Sequence, residues 1–300
     1  MSRSFHRRSH ASSVALALST FVAGAAIAAP SEAPKAATAA PSAAAPLRIC
    51  ASSSQPPLSM QDESGLENRI GKAVAEAMGR KPEFVFTSKP AIYLVRDFLD
   101  KGQCDVIIGL DTGDPRVLTS KPYYRTGYVF LTRADKGLEI SSWSDPRIKT
   151  LGHIAVSFGS PSEVMLKEIG EYEGEMAYLY SLVNFKSPRN QYTQVDPARM
   201  VSEVASGSAG LAAAFAPDVA RYVKASPTPL RMTLAADDAK RSDGQKVPQH
   251  FDQSLGVRLA DKALLADLNA ALERAKPTIE QILTAEGVPL LPIDDRVASH

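Results

Sequence analysis

The chain has 300 residues, of which 44% are hydrophobic and 22% charged, with 34 Lys and Arg against 33 Asp and Glu. That near balance, without any block of like charge, excludes attachment to nucleic acid or to an anionic membrane surface by bulk charge.

The first element read along the chain is a targeting segment. Arg3, Arg7 and Arg8 precede an apolar stretch, residues 14–27, shorter than the ~20 residues a membrane span needs. Ala26-Ile27-Ala28 is a small-x-small cleavage pattern, so residues 1–28 read as a secretory signal peptide cleaved near Ala28. The surroundings of Arg7-Arg8 fit the twin-arginine export motif poorly. Residues 29–46 (APSEAPKAATAAPSAAAP) hold too little apolar bulk for a core and read as a linker. Removing residues 1–28 takes away three arginines and no acid, leaving 31 basic against 33 acidic residues, a balance of −2. The mature protein is expected in the periplasm, and no later segment is apolar and long enough to span a bilayer.

From residue 47 the periodicity predicts alternating strands and helices. Residues 47–51 (LRICA) are a strand; residues 66–79 place Leu66, Ile70 and Val74 on one helical face before Gly79. Residues 83–87 (EFVFT) alternate as a strand, residues 91–101 (AIYLVRDFLDK) form a second helix, and residues 105–110 (DVIIGL) and 128–132 (YVFLT) are strands. This βαβαβ order predicts a parallel sheet with right-handed crossovers. After a polar stretch from Arg133 to Lys149 a second series begins. Its strands are residues 153–157, Asn184-Phe185, 211–215 and 230–234, and its helices 163–169, 197–206 and 217–224. A last strand, 253–259, precedes two helices, 263–275 and 279–285. The chain therefore reads as an α/β protein of two lobes, 47–132 with 246–300 and 133–245, with a ligand cleft between them at the C-terminal ends of the strands.

Cys50 and Cys104 both fall in the folded part. In an oxidising compartment such a pair favours a disulfide; the alternative is two buried thiols, and the stagger between the two strands is the objection.

Three stretches carry a resemblance: the glycine-flanked helix after the first strand, CDVIIG followed by Arg116 and SKPYY, and VSFGSPSE at the start of the second lobe. Across residues 47–295 these resemble the type II periplasmic solute-binding fold. GLENRI, KPAIYLVRDFLDKGQCDVIIG, LDTGDPRVLTSKPYYRTGYVF and VPQHFDQSLGVR are similar, more narrowly, to the methanol-oxidation accessory proteins of that fold. AIYLVRD with LDTGDPRVLTSKPYY looks closer to that branch than to its lanthanide-associated relatives. The resemblance implies a non-catalytic accessory protein that is a monomer on its own. Its partners would be subunits of methanol dehydrogenase, and its role would lie in maturation, assembly or the electron-transfer complex. The alternative is a receptor delivering a small anionic solute to a membrane transporter.

Amino-acid receptors of the fold clamp a ligand carboxylate with an arginine at the position of Arg116, helped by hydroxyls where this chain has Asp111 and Gly113. They hold the ligand ammonium with an acid where this chain has Phe215. The amino-acid signature is therefore broken. Gly159 to Ser162 offer either an anion site, with Ser160 and Ser162, or plain helix capping. Tyr123 and Tyr124 line the cleft or pack its wall, His250 is an interlobe contact or a cleft residue, and Asp252 is a cleft candidate. His153 opens an apolar strand and reads as structural; Trp143 is a partner anchor if exposed and a plug if buried. Asp105 is expected to pair locally. Asp111, Asp114 and Asp252 lack the spacing of a calcium loop, and no catalytic triad, HExxH or CxxC stands out, so no catalytic residue, metal or cofactor is assigned.

Overall fold

The computed structural model describes residues 45–183 and 194–293. The segment read as a signal peptide, nearly all of the linker and the strand expected at Asn184-Phe185 lie outside them. In chain order the first elements are β1 (Leu47–Ser52), α1 (Leu66–Ala77), β2 (Pro82–Thr87), β3 (Val106–Asp111), β4 (Leu118–Thr119) and β5 (Tyr124–Arg133). Then come β6 (Ile154–Val156), α2 (Pro161–Glu168), α3 (Tyr172–Ser181), α4 (Pro197–Ser206), β7 (Leu211–Phe215), α5 (Ala216–Ala225), β8 (Leu230–Leu234), β9 (His250–Val257) and α6 (Lys262–Glu286).

β1 pairs in parallel with β2 on one side and β3 on the other, as the βαβ order requires. Beyond β3 the sheet turns mixed, because β9 returns from late in the chain and lies antiparallel to both β3 and β5. The helix expected over 91–101 is not α-helical. Ala91–Tyr93 is a 3-10 turn and Val95–Leu99 a π-turn, with the Asp100 N–H donating to the Val95 carbonyl. It still buries Leu94, Val95 and Leu99.

β5 changes sheets at its middle. Its first half, from Tyr124 to Gly127, pairs with β9; its second half, from Tyr128, pairs with β7 and β8. The strand itself thus passes from one sheet to the other, between Gly127 and Tyr128. Gly127 is needed there, since a Cβ would stand 2.6 Å from His250 Cδ2 and 2.7 Å from the Gln249 carbonyl.

Each sheet has its own core. One gathers Phe130, Ile154, Leu166, Val204 and Leu211 around β5, β6 and β7; the other gathers Ile49, Ile70, Val106, Leu255, Leu268 and Leu283 around β1, β3, β9, α1 and α6. Trp143 is buried in the first core, edge-on to Phe130 at 5.0 Å, with Nε1 donating to Gln249 Oε1 at 3.2 Å. It is a core residue and presents no surface to a partner. A smaller cluster of Leu94, Val95, Leu99 and Ile107 encloses Cys50 and Cys104, which form a disulfide with Cα atoms 5.4 Å apart. The stagger is absorbed because Cys104 precedes β3, where the Asp105 N–H still donates to the Arg48 carbonyl. Two cores joined by β5 and β9 make a two-lobed α/β fold with a cleft between the lobes.

Candidate functional site

A cavity of about 410 Å³ opens between the lobes, at the ends of β3 and β7. The first lobe contributes Glu67 from the first turn of α1, Ile108 to Asp111 from β3, and Arg116. The second contributes Phe215 at the end of β7, Asp218 from the first turn of α5, and Pro161 at the start of α2. The crossing strands supply Tyr124, Tyr128, Phe251 and Gln253. Tyr128, Phe215 and Phe251 form an aromatic face, with ring centroids 5.7 to 6.2 Å apart. Phe215 therefore lines the cleft as an apolar wall.

The strongest electrostatic feature is a pair of acids that sequence reasoning did not single out. Burial pushes the Glu67 carboxyl up to about 8, with Asp218 adding to the rise, and pushes the Asp218 carboxyl up to about 7. Neither has a side-chain hydrogen-bond partner among the described residues. Glu67 rests on bare backbone: a Cβ at Gly109 would stand 2.2 Å from Glu67 Oε1, and Gly109 has a φ of 76°. Both acids occupy the first turn of a helix, where an acid is ordinary, so nothing in sequence spacing marks them.

Arg116 reaches the cavity, but its charge is already matched. Its Nε donates to Asp114 Oδ1 at 3.0 Å, its Nη2 to Oδ2 at 2.5 Å, and its backbone N–H to Oδ1 at 2.9 Å. These hydrogen bonds hold the Asp114 carboxyl below its usual range. Asp111 accepts from Gln253 Nε2 at 2.6 Å, and partial burial, with Asp114 nearby, raises its carboxyl. The first-lobe anion clamp is thus neutralised by its own turn.

The second-lobe anion site is filled as well. Ser160 caps α2, its Oγ accepting from the Glu163 N–H at 3.2 Å and donating to the Ser157 carbonyl at 2.6 Å. The Glu163 carboxylate takes the Gly159 N–H at 2.6 Å, the place of a bound anion. Ser162 is buried within the lobe and does not line the cavity.

The remaining residues act as packing or pairing groups. Tyr124 lines the cavity and Tyr123 lies behind it, their rings 5.2 Å apart; burial raises both phenols, and Glu67 adds to each rise. Strand alternation turns Phe251 and Gln253 to the cleft and His250 and Asp252 to the other face. There His250 Nε2 meets the Ala235 carbonyl at 2.8 Å, and Arg125 Nη1 donates to Asp252 Oδ2 at 3.0 Å. His153 stacks on Tyr178 at 4.2 Å, with Nδ1 3.0 Å from Glu175 Oε2. Asp105 pairs with Arg48, Nη2 to Oδ1 at 2.5 Å. Among the described residues no group of three or more His, Cys, Asp or Glu is placed to hold a metal ion.

Comparison with known proteins agrees with this architecture. The family described as bacterial extracellular solute-binding proteins, family 3, matches residues 47–284. Protein MoxJ of Methylorubrum extorquens (strain AM1) is 68% identical over 238 residues, covering 79% of each chain. The crystal structure of MxaJ from Methlophaga aminisulfidivorans MPT is 48% identical with a TM-score of 0.78, covering 82% of this chain and 100% of that one. The periplasmic binding protein XoxJ from Methylobacterium extorquens AM1 shares the fold at 24% identity and a TM-score of 0.59, covering 82% and 100%. The chain belongs to the bacterial extracellular solute-binding proteins, family 3.

Proposed function

We propose that the chain is a non-catalytic periplasmic accessory protein of the methanol-oxidation system, with methanol dehydrogenase subunits as its partners. Its role on this reading is maturation, assembly or the electron-transfer complex of that enzyme. The observation that carries the reading is the 68% identity to a protein named MoxJ over most of the folded part. The cleft supports it. Arg116 is neutralised by Asp114, Glu163 fills the α2 anion position, and Phe215 stands where an amino-acid receptor needs an acid. No described helix is long and apolar enough to cross a membrane.

The second reading, a receptor for a small anionic solute, draws on the cavity and Arg116. The Asp111 carboxyl on the same wall and the pairing of Arg116 with Asp114 count against an anion. Deletion and capture separate the two readings. With this chain as bait, periplasm from methanol-grown cells should yield dehydrogenase subunits, and a deletion strain should lose dehydrogenase activity. Empty bait together with full activity in the deletion strain would overturn the accessory role.

A further inference from the structure

β2 is the longest of the strands paired on one side only. β1 covers one flank of it, and no described strand covers the other. Two hydrogen bonds fix the phase of that pairing: the Leu47 N–H donates to the Lys81 carbonyl and the Ser53 N–H to the Thr87 carbonyl, each at 2.8 Å. In a parallel ladder alternate residues turn both backbone groups to the same neighbour. Residues 83, 85 and 87 therefore serve β1. Phe84 and Phe86 turn their N–H and C=O groups outward, where no described residue meets them. Their rings, 5.7 Å apart and half-buried, lie on the α1 face of the sheet, and Val85 lies on the opposite face against the disulfide cluster.

Such an edge is a template for a further strand, and the charges around it decide which strand. Lys81, just before β2, is exposed and has no ion-pair partner among the described residues. Arg80 beside it is 4.0 Å from Asp105, an acid already taken by Arg48. Beyond the other end Lys89, more than half exposed, reaches Asp97 at 2.7 Å and shares it with Arg96. Glu83 is the one acid within β2. These charges count against a second copy of the chain. The two-fold antiparallel register that satisfies all four outward groups sets Phe84 opposite Phe86, and so sets Lys81 opposite Lys89. Like charges facing each other across a strand pair repel, whereas acids at those two places on a foreign strand attract.

We propose that the open edge of β2 accepts an extended, acid-flanked segment of a partner protein as an added antiparallel strand. Phe84 and Phe86 supply the main-chain hydrogen bonds. Apolar side chains opposite them extend the α1 face, and an acid at each end of the segment meets Lys81 or Lys89. No residue of β2 lines the interlobe cavity, so this surface is separate from the cleft. It does not depend on the accessory role, which stands or falls on the dehydrogenase experiments.

The test is fluorescence anisotropy of a labelled peptide, Asp-Thr-Thr-Val-Thr-Val-Thr-Thr-Asp, titrated with the mature chain. Saturable 1:1 binding is expected, at least tenfold tighter than for the same peptide with lysine at both ends. Lys81→Glu, an exposed change, should weaken it tenfold or more. N-methylation of the fourth and sixth peptide residues, whose N–H groups face β2, should abolish binding, and N-methylation of the third and fifth should leave it. Hydrogen exchange at the Phe84 and Phe86 amides should slow when the peptide is bound. No saturable binding, equal affinity for the lysine-ended peptide, tolerance of methyl groups at the fourth and sixth residues, or unchanged exchange at Phe84 and Phe86 would each overturn the proposal. So would a dimer of the free chain in sedimentation velocity that protects the same two amides, since the edge would then belong to a second copy. The peptide arms need no variant, so a misfolded substitution leaves the question decided.

Discussion

At the scale of single residues, Glu67 and Asp218 are two carboxyls whose ionisation shapes how this protein responds to pH. Their folded-state values, about 8 and about 7, lie above the ordinary carboxylate range, so folding favours their protonated forms. That contribution is fully present below the unfolded values near 4 and is lost as pH rises through 7 and 8. Stability of the unaltered protein should therefore fall between pH 5 and pH 8, and Glu67→Gln should flatten that fall by on the order of 3 kcal/mol. Urea midpoints at several pH values measure it; parallel curves for the two proteins would refute the assignment. The disulfide gives a second residue-scale prediction. Thiol titration of the denatured, unreduced chain should find no free thiol, and reduction should cost about 4 kcal/mol if loop closure over a separation of 54 residues dominates. Both cysteines, Phe215 and the clamp position of Arg116 were visible in sequence. Glu67 and Asp218 were not, because an acid in a first turn looks the same whether it faces water or another lobe. Arg116 was misleading for a related reason. Asp114-Pro115 announces a turn, but only geometry shows that the turn folds the arginine back onto its own aspartate.

At the scale of elements, strongly periodic or β-branched segments were legible, and those shaped by tertiary contact were not. The α3 sequence YEGEMAYLYS has no apolar stripe and buries little beyond Glu175 and Leu179, so no helical period marks it. β5 hides its first half because Arg125, Thr126 and Gly127 pair with β9, a strand from more than a hundred residues away. α6 shows packing overriding local chemistry. Pro277 predicts a break, yet one helix runs from Lys262 to Glu286. Leu268, Ala271, Leu272, Ala275, Ile279 and Leu283 keep one buried stripe across the proline, and burying that stripe outweighs the hydrogen bond lost at the Glu273 carbonyl. Pro277 is itself exposed, so its replacement disturbs no packing. Pro277→Ala should raise stability by about 1–3 kcal/mol, read as an upward shift of the urea midpoint at unchanged slope. A lower midpoint would mean that the proline bend is needed to seat α6 on α1.

At the scale of the whole molecule, the question is what holds the lobes together around a cleft that has lost its anion clamps. The structure answers with a tie outside the cavity. Arg221 on α5, a helix rooted in the second lobe, donates from Nε to Glu286 Oε2 at 2.8 Å and from Nη2 to Oε1 at 2.7 Å. Glu286 ends α6 in the first lobe and is also paired with Arg69 of α1. Arg221 Nη2 further donates to the Ser64 carbonyl at 3.0 Å, and Lys224 Nζ to the Ala285 carbonyl at 2.8 Å. With Arg221 about a quarter exposed and Glu286 nearly buried, the tie is screened less than a surface ion pair. A receptor that opens and closes on its solute would have to break and remake this contact at each cycle, whereas an accessory protein that presents a fixed surface gains from keeping it. Arg221→Ala leaves Glu286 paired with Arg69, so the first-lobe core stays satisfied while α5 loses its anchor. The variant should lose about 1–3 kcal/mol of stability and show a larger radius of gyration by small-angle X-ray scattering. If the radius is unchanged while stability falls, the tie is ordinary packing and the lobes are held by β5 and β9 alone. If both change, lobe spacing is set by this contact, and Arg221→Ala opens the cleft without touching its walls.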